Sequence, residues 1–173
     1  LTWLPSLYRT SFHLPVEQSL KYGMIISLTS PIGSLLGALL IDRLGRKVCF
    51  AGAFIGAALP LFVLWHMAGQ ADAATTLWLA AFACFSISIL LAGIYVYAPE
   101  VYPTYLRGLG VGTGTSFYRL AAIISPTVIG WLLQTTGLAT VFLALGVVAT
   151  IGALVVVLFA METRGRQLEE LEA

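Results

Sequence analysis

Three short charged clusters and one isolated arginine are the residues of this chain best equipped for chemistry. Asp42-Arg43-Leu44-Gly45-Arg46-Lys47 sets one carboxylate and three cations around a glycine. Pro99-Glu100-Val101-Tyr102-Pro103-Thr104-Tyr105-Leu106-Arg107 holds an acid and a base separated by six residues. Glu162-Thr163-Arg164-Gly165-Arg166-Gln167-Leu168-Glu169-Glu170 mixes both signs near the C-terminal end of the chain. Arg119 stands alone in an apolar stretch. The chemistry these groups offer is ion pairing and anion attraction, not bond making. No His-Glu-x-x-His element and no carboxylate cluster beside a histidine is present, so no catalytic residue, metal ligand or cofactor is assigned. His13 and His66 carry no assigned role. A membrane enzyme is therefore a poor reading of the chain.

Each cluster has a plain reading beside a sharper one. Bases around Gly45 anchor a loop in the cytoplasm, but orientation does not require Asp42. A carboxylate there can face the positive N-terminus of another helix or pair with an arginine across the bundle. Glu100 would be costly alone beside an apolar core. It either pairs locally with Arg107, a contact worth little if wet, or joins a cluster with Arg43 or Arg46. The Glu162 segment can be a solvated helix start of balanced charge. Arg119 falls about 14 Å into its apolar stretch at 1.5 Å per residue. An ionisable residue near a bilayer midplane is a functional candidate, although it can also snorkel or hold a structural partner. Thr115 lies one turn before it on the same helical face. Trp3, Tyr8, Tyr95 and Tyr97 either line a cavity or serve in packing and the interfacial belt.

The elements that must position these groups are apolar. Of 173 residues 59% are hydrophobic and 10% are charged, against roughly 25% charged in soluble domains. Tyr22 to Ile41, Val48 to Ala71, Ala73 to Pro99 and Leu120 to Met161 contain no Asp, Glu, Lys or Arg. About 20 apolar residues cross a bilayer core as a helix, and only helices and closed barrels satisfy their backbone in lipid. Barrel strands would be about 10 residues long with alternating polarity, which these continuous stretches are not. A first segment, 1–14, is interrupted by Pro5, Arg9 and His13 and reads as the end of a helix whose start is missing. Spans two to six are expected at about Leu20–Ile41, Val48–Met67, Thr75–Ala98, Gly110–Leu133 and Leu138–Ala160. They fill residues 15–161 with short loops, and 162–173 form a polar tail. Cys49 and Cys84 sit inside apolar stretches and read as free, buried thiols.

Arg43, Arg46, Lys47, Arg107, Arg164 and Arg166 follow spans two, four and six, while Lys21 and Arg9 fall on the other side. That alternation fits one threading with the basic side and the tail cytoplasmic. Gly33 with Gly37, Gly52 with Gly56 and Gly110 with Gly114 have the spacing of close helix contacts. The Gly108–Gly114 run lacks the preceding strand and basic residue of a phosphate loop. A net charge of +1 points to no nucleic-acid partner.

Taken in order, the three clusters resemble the major facilitator superfamily. Asp42 to Lys47 resembles its D-R-x-G-R-K loop between helices eight and nine, with Ala38 where a Gly is customary. Glu100 to Arg107 resembles the E-x6-R element after helix ten. Glu162 to Gly165 resembles the E-T-x-G element after helix twelve, with Met161 replacing the customary Pro. The resemblance implies an all-α membrane protein: the C-terminal six-helix half of a twelve-helix fold, its first helix truncated. It also implies a cytoplasmic gate of Asp42, Arg43, Arg46, Glu100, Arg107 and Glu162. In that gate Asp42 would face the N-terminus of the fifth span, and Arg43 and Arg46 would pair with Glu100 and Glu162. The region Thr115 to Arg119 resembles that of organic-anion members, which makes Arg119 and Thr115 candidate substrate contacts, and Tyr95 joins them from the aromatic set as a candidate. The implied partners are a small-molecule substrate, membrane lipid and the missing N-terminal six helices.

The function expected is secondary transport of a small organic solute, an organic acid or similar metabolite, by alternating access and coupled to protons. No carboxylate lies deep in any span, so a proton-binding acid would belong to the other half. A sugar porter or a non-transporting receptor on the same fold are the alternatives. Sugar recognition needs amides and carboxylates in a cavity, and this chain has no Asn and no clearly mid-span Gln among Gln18, Gln70, Gln134 and Gln167.

Overall fold

A computed structural model describes residues 15–68 and 70–162. Segment 1–14 and residues 163–173, with the helix end and most of the tail expected there, lie outside the described residues. Within them the chain forms α1 (Val16–Leu44), α2 (Arg46–His66), α3 (Ala73–Val101), α4 (Arg107–Thr135) and α5 (Leu138–Phe159). These are spans two to six. Each is long and apolar enough to cross a membrane, and the 29-residue helices reach about 43 Å at 1.5 Å per residue. They outrun a hydrocarbon core of about 30 Å, so their charged ends fall at headgroup depth.

α3 sits at the centre, packed against α1 and α2, and α5 covers α2. Small residues permit this. A Cβ on Gly33 would stand 2.5 Å from the carbonyl oxygen of Phe85, and one on Gly37 would stand 2.9 Å from the Cα of Ile89. Those glycines hold α1 against the backbone of α3, a contact that drives helix association in lipid. Ser34 adds a hydrogen bond from its hydroxyl to the Ser88 carbonyl at 3.3 Å. A Cβ on Gly56 would meet Ser86 and one on Gly110 the ring of Tyr102, whereas one on Gly52 or Gly114 would meet no described atom within 4 Å. The glycine spacing thus marks contacts in α1 and only partly in α2 and α4.

Outward faces carry large exposed apolar side chains such as Leu28, Leu35, Leu39, Leu154 and Leu158, as lipid contact requires. Trp65, Trp78 and Trp131 lie near one end of the bundle and Tyr102 and Tyr105 near the other, the arrangement of two interfacial belts. Cys49 is buried, but Cys84 is only partly so, and both are free.

Two local features depart from expectation. α3 runs past Pro99 to Val101, three residues beyond its expected end at Ala98. Glu100 therefore stays helical and aims from a rigid element. α4 begins at Arg107, three residues earlier than expected, which puts Arg119 twelve positions along a 29-residue helix. That is about 18 Å from its start, close to its midpoint. α4 is also the least covered helix, with Gly110 its one buried residue.

Candidate functional site

The turn between α1 and α2 consists of one residue. Gly45 has φ 94° and ψ 155°, a backbone region essentially closed to residues with a Cβ. α1 ends on one side of it, and the first amides of α2 open on the other. Those amides have no partner inside their own helix. Glu162, just beyond the end of α5, supplies one. Its Oε1 accepts from the Arg46 N–H at 2.9 Å and its Oε2 from the Lys47 N–H at 3.1 Å. The carboxylate also sits on the positive end of the α2 dipole. A Cβ on Gly45 would stand 2.7 Å from Glu162 Oε2, so the glycine both makes the turn and leaves room for the cap.

Arg46 then reaches in two directions. Its Nε donates to Glu100 Oε2 at 3.1 Å and its Nη2 to Glu100 Oε1 at 2.8 Å. This is the bidentate fork that an arginine offers and a lysine cannot. Nη1 lies 3.0 Å from Asp42 Oδ1. The Arg46 side chain is 11% exposed and that of Glu100 26%, but that of Asp42 is 72% exposed. The Glu100 contact is thus shielded and the Asp42 contact wet.

A third connection joins α3 to the chain after α5. The Tyr97 hydroxyl donates to the Met161 carbonyl at 3.0 Å and accepts from the Met161 N–H at 3.0 Å. The Tyr97 ring stands edge-on to Phe50 of α2, centroids 5.3 Å apart. The ends of α1, α2, α3 and α5 therefore meet at one end of the bundle, and Glu17 and Lys21 pair at the beginning of α1, at the opposite end.

The structure brings Asp42, Arg46, Glu100 and Glu162 together, with Glu162 on backbone amides and Arg46 carrying the ion pairs. Arg43 is exposed and makes no ion pair among the described residues. Asp42 is bonded to Arg46. Arg107 opens α4, and its buried Nε has no hydrogen-bond partner among the described residues. The capping role of Glu162 and the Tyr97–Met161 contact were not anticipated from sequence. Their only sequence signals were the three-residue step from Tyr97 to Glu100, one helical turn, and the adjacency of Met161 to Glu162.

A groove of about 360 Å³ runs between α3 and α4, lined by Tyr95, Tyr97, Tyr102, Thr115 and Tyr118 among mostly aliphatic residues. Tyr95 is 67% exposed. Thr115 returns its hydroxyl to the Val111 carbonyl at 2.8 Å, so its methyl is free for packing. Arg119 is exposed and next to Tyr118 in sequence but is not part of the groove lining.

Known proteins resemble this chain over most of its length. The chain is 33% identical to a niacin transporter of Acinetobacter baylyi over 98% of its own length and 38% of that protein's. It is 35% identical to organic cation/carnitine transporter 7 of Arabidopsis thaliana over 80% of its length and 27% of that protein's. It thus spans well under half of these curated relatives, which are named as transporters and not as enzymes. Its fold matches a double-tryptophan mutant of XylE, the xylose transporter of E. coli, with a TM-score of 0.85, 21% identity, and coverage of 98% of this chain and 37% of that one. The family model for the Major Facilitator Superfamily matches residues 1–173. With five apolar helices among its described residues, this chain is a multi-pass membrane protein of the Major Facilitator Superfamily.

Proposed function

We propose that the chain is the C-terminal half of a twelve-helix secondary transporter that moves a small organic acid or similar metabolite by alternating access, coupled to protons, in the plasma (inner) membrane. The observation that carries this reading is α4. A cation stands near the midpoint of a 29-residue membrane helix with one buried residue. An exposed Arg119 at that depth is too costly to face lipid. A water-filled cavity shared with a second helical half relieves the cost, and transporters of this construction bind substrate near the midplane between their repeats.

Arg119 then supplies positive charge to a cavity wall, with Tyr95 and Thr115 on the adjoining groove. Its sign favours an anion over a cation for this half. Charged groups at Asp42, Arg43, Arg46, Glu100, Arg107 and Glu162 form the cytoplasmic gate, the basic side facing the cytoplasm with the tail. The described carboxylates, Glu17, Asp42, Asp72, Glu100 and Glu162, all lie at or beyond helix ends. A proton-binding acid therefore belongs to the N-terminal half. A sugar is the second reading, favoured by the tyrosine lining of the groove, since aromatic faces and hydroxyls suit a neutral polyol.

The test is a thermal-shift panel of organic acids and sugars on a twelve-helix protein carrying this chain, with Arg119→Gln alongside. Stabilisation by an organic acid, abolished in the variant, is expected. Stabilisation by a sugar and not by acids, unchanged in the variant, would move the chain to the sugar reading and reduce Arg119 to structure.

A further inference from the structure

The gate acid Glu162 lies on the first residues beyond a helix, a weak platform for a carboxylate that must meet two amides at once. α5 ends at Phe159, and Ala160 has already turned to φ −69° and ψ 130°. The main chain at Met161 thus has no helical partner for its N–H or its C=O. Both go to one hydroxyl, that of Tyr97. A phenol can do this, because it donates one hydrogen bond and still accepts. The ring itself is fixed by its edge contact with Phe50 and by the buried cluster of Ile41, Cys49 and Phe50, against which Val156 of α5 also packs.

We infer that Tyr97 is a positioning residue for the ionic cluster: it pins Met161, and Met161 sets the Glu162 carboxylate over the N-terminus of α2. One turn further along α3, Glu100 engages the side chain of the same Arg46 whose N–H Glu162 holds. Tyr97 and Glu100 thus act from one helix on both ends of the same clamp. Met161 matters through its N–H. A proline at this position lacks that donor, while the extended backbone of Ala160 is one that a residue before proline readily adopts. Met161→Pro therefore deletes one of the two hydrogen bonds without a new backbone conflict at Ala160. Tyr97→Phe deletes both and keeps the ring. The inference stands on the geometry of the cluster and does not depend on what is transported.

Amide hydrogen exchange at single-residue resolution on the 173-residue chain in micelles tests it. Tyr97→Phe is expected to speed exchange at Arg46 and Lys47 by about tenfold, and Met161→Pro by about threefold, as the loss of two or one modest hydrogen bonds implies. Amides in the interior of α2, from Ala53 to Leu64, keep their protection. In a Glu162→Ala background, Tyr97→Phe adds nothing further at Arg46 and Lys47. Unchanged exchange at those two amides in Tyr97→Phe would overturn the inference. So would an equal rise along all of α2, which would make Tyr97 a packing residue only. If Tyr97→Phe fails to fold, Met161→Pro carries the same test, because its ring packing is intact.

Discussion

Removing the carboxylate of Glu100 should uncover how much of the helix-end cluster rests on one side chain. Arg46 makes two charge-assisted hydrogen bonds to it, at 3.1 and 2.8 Å. Hydrogen bonds to charged groups contribute about 1.5–3 kcal/mol each, and the two share one acceptor group. Breaking a fully buried ion pair costs about 3–5 kcal/mol. Glu100 is 26% exposed, and solvent screening lowers that figure, so about 2–3 kcal/mol is expected for the coupling of Arg46 with Glu100. The Asp42 contact is an i,i+4 pair whose acid is 72% exposed, and such pairs contribute about 0.3–0.5 kcal/mol. Reversible unfolding in mixed micelles of Arg46→Ala, Glu100→Ala, Asp42→Ala and the two double variants yields both coupling energies. A coupling of Arg46 with Glu100 below about 0.5 kcal/mol, or no larger than that with Asp42, would refute the assignment of Arg46 as the hub.

Gly45→Ala and Gly137→Ala form a matched pair, since both glycines have positive φ but only Gly45 is crowded, by Glu162. Each should lose about 1–3 kcal/mol to backbone strain, and thermal unfolding should show the larger loss at Gly45; equal losses would mean that Glu162 does not occupy the turn. Glu162→Gln keeps an acceptor but loses its charge against the α2 dipole, for about 0.5–1 kcal/mol. Glu162→Ala removes the cap altogether, for about 1–2 kcal/mol, and the same unfolding assay should rank the two in that order. Arg46→Lys keeps the charge but not the fork, and should lose more than half of the Glu100 coupling in the double-variant comparison above.

The helices were legible in sequence because bilayer thickness imposes a length that an uncharged run reports directly. The expected start of α5 at Leu138 coincides with the observed one, and the other boundaries fall within four residues of expectation. The motifs located the cluster, but not which atoms meet. Glu162 reads as a partner for an arginine side chain, and the two backbone amides that its carboxylate takes were not foreseen. Every residue carries such an amide, so sequence does not mark this one as unpaired; only the one-residue turn at Gly45 exposes it. Tyr97 was hidden for a similar reason. Its partner is the backbone of Met161, and a side chain that binds backbone leaves no complementary residue to find.

Transport itself is best tested by uptake into proteoliposomes bearing this chain alone, or this chain joined to an N-terminal six-helix half. No uptake above empty liposomes is expected for the chain alone, and saturable, pH-gradient-driven uptake of a small organic acid, abolished by Arg119→Gln, is expected for the joined protein. Uptake by a single copy of the chain alone, or acid uptake by the joined protein that is indifferent to Arg119, would contradict the proposed function.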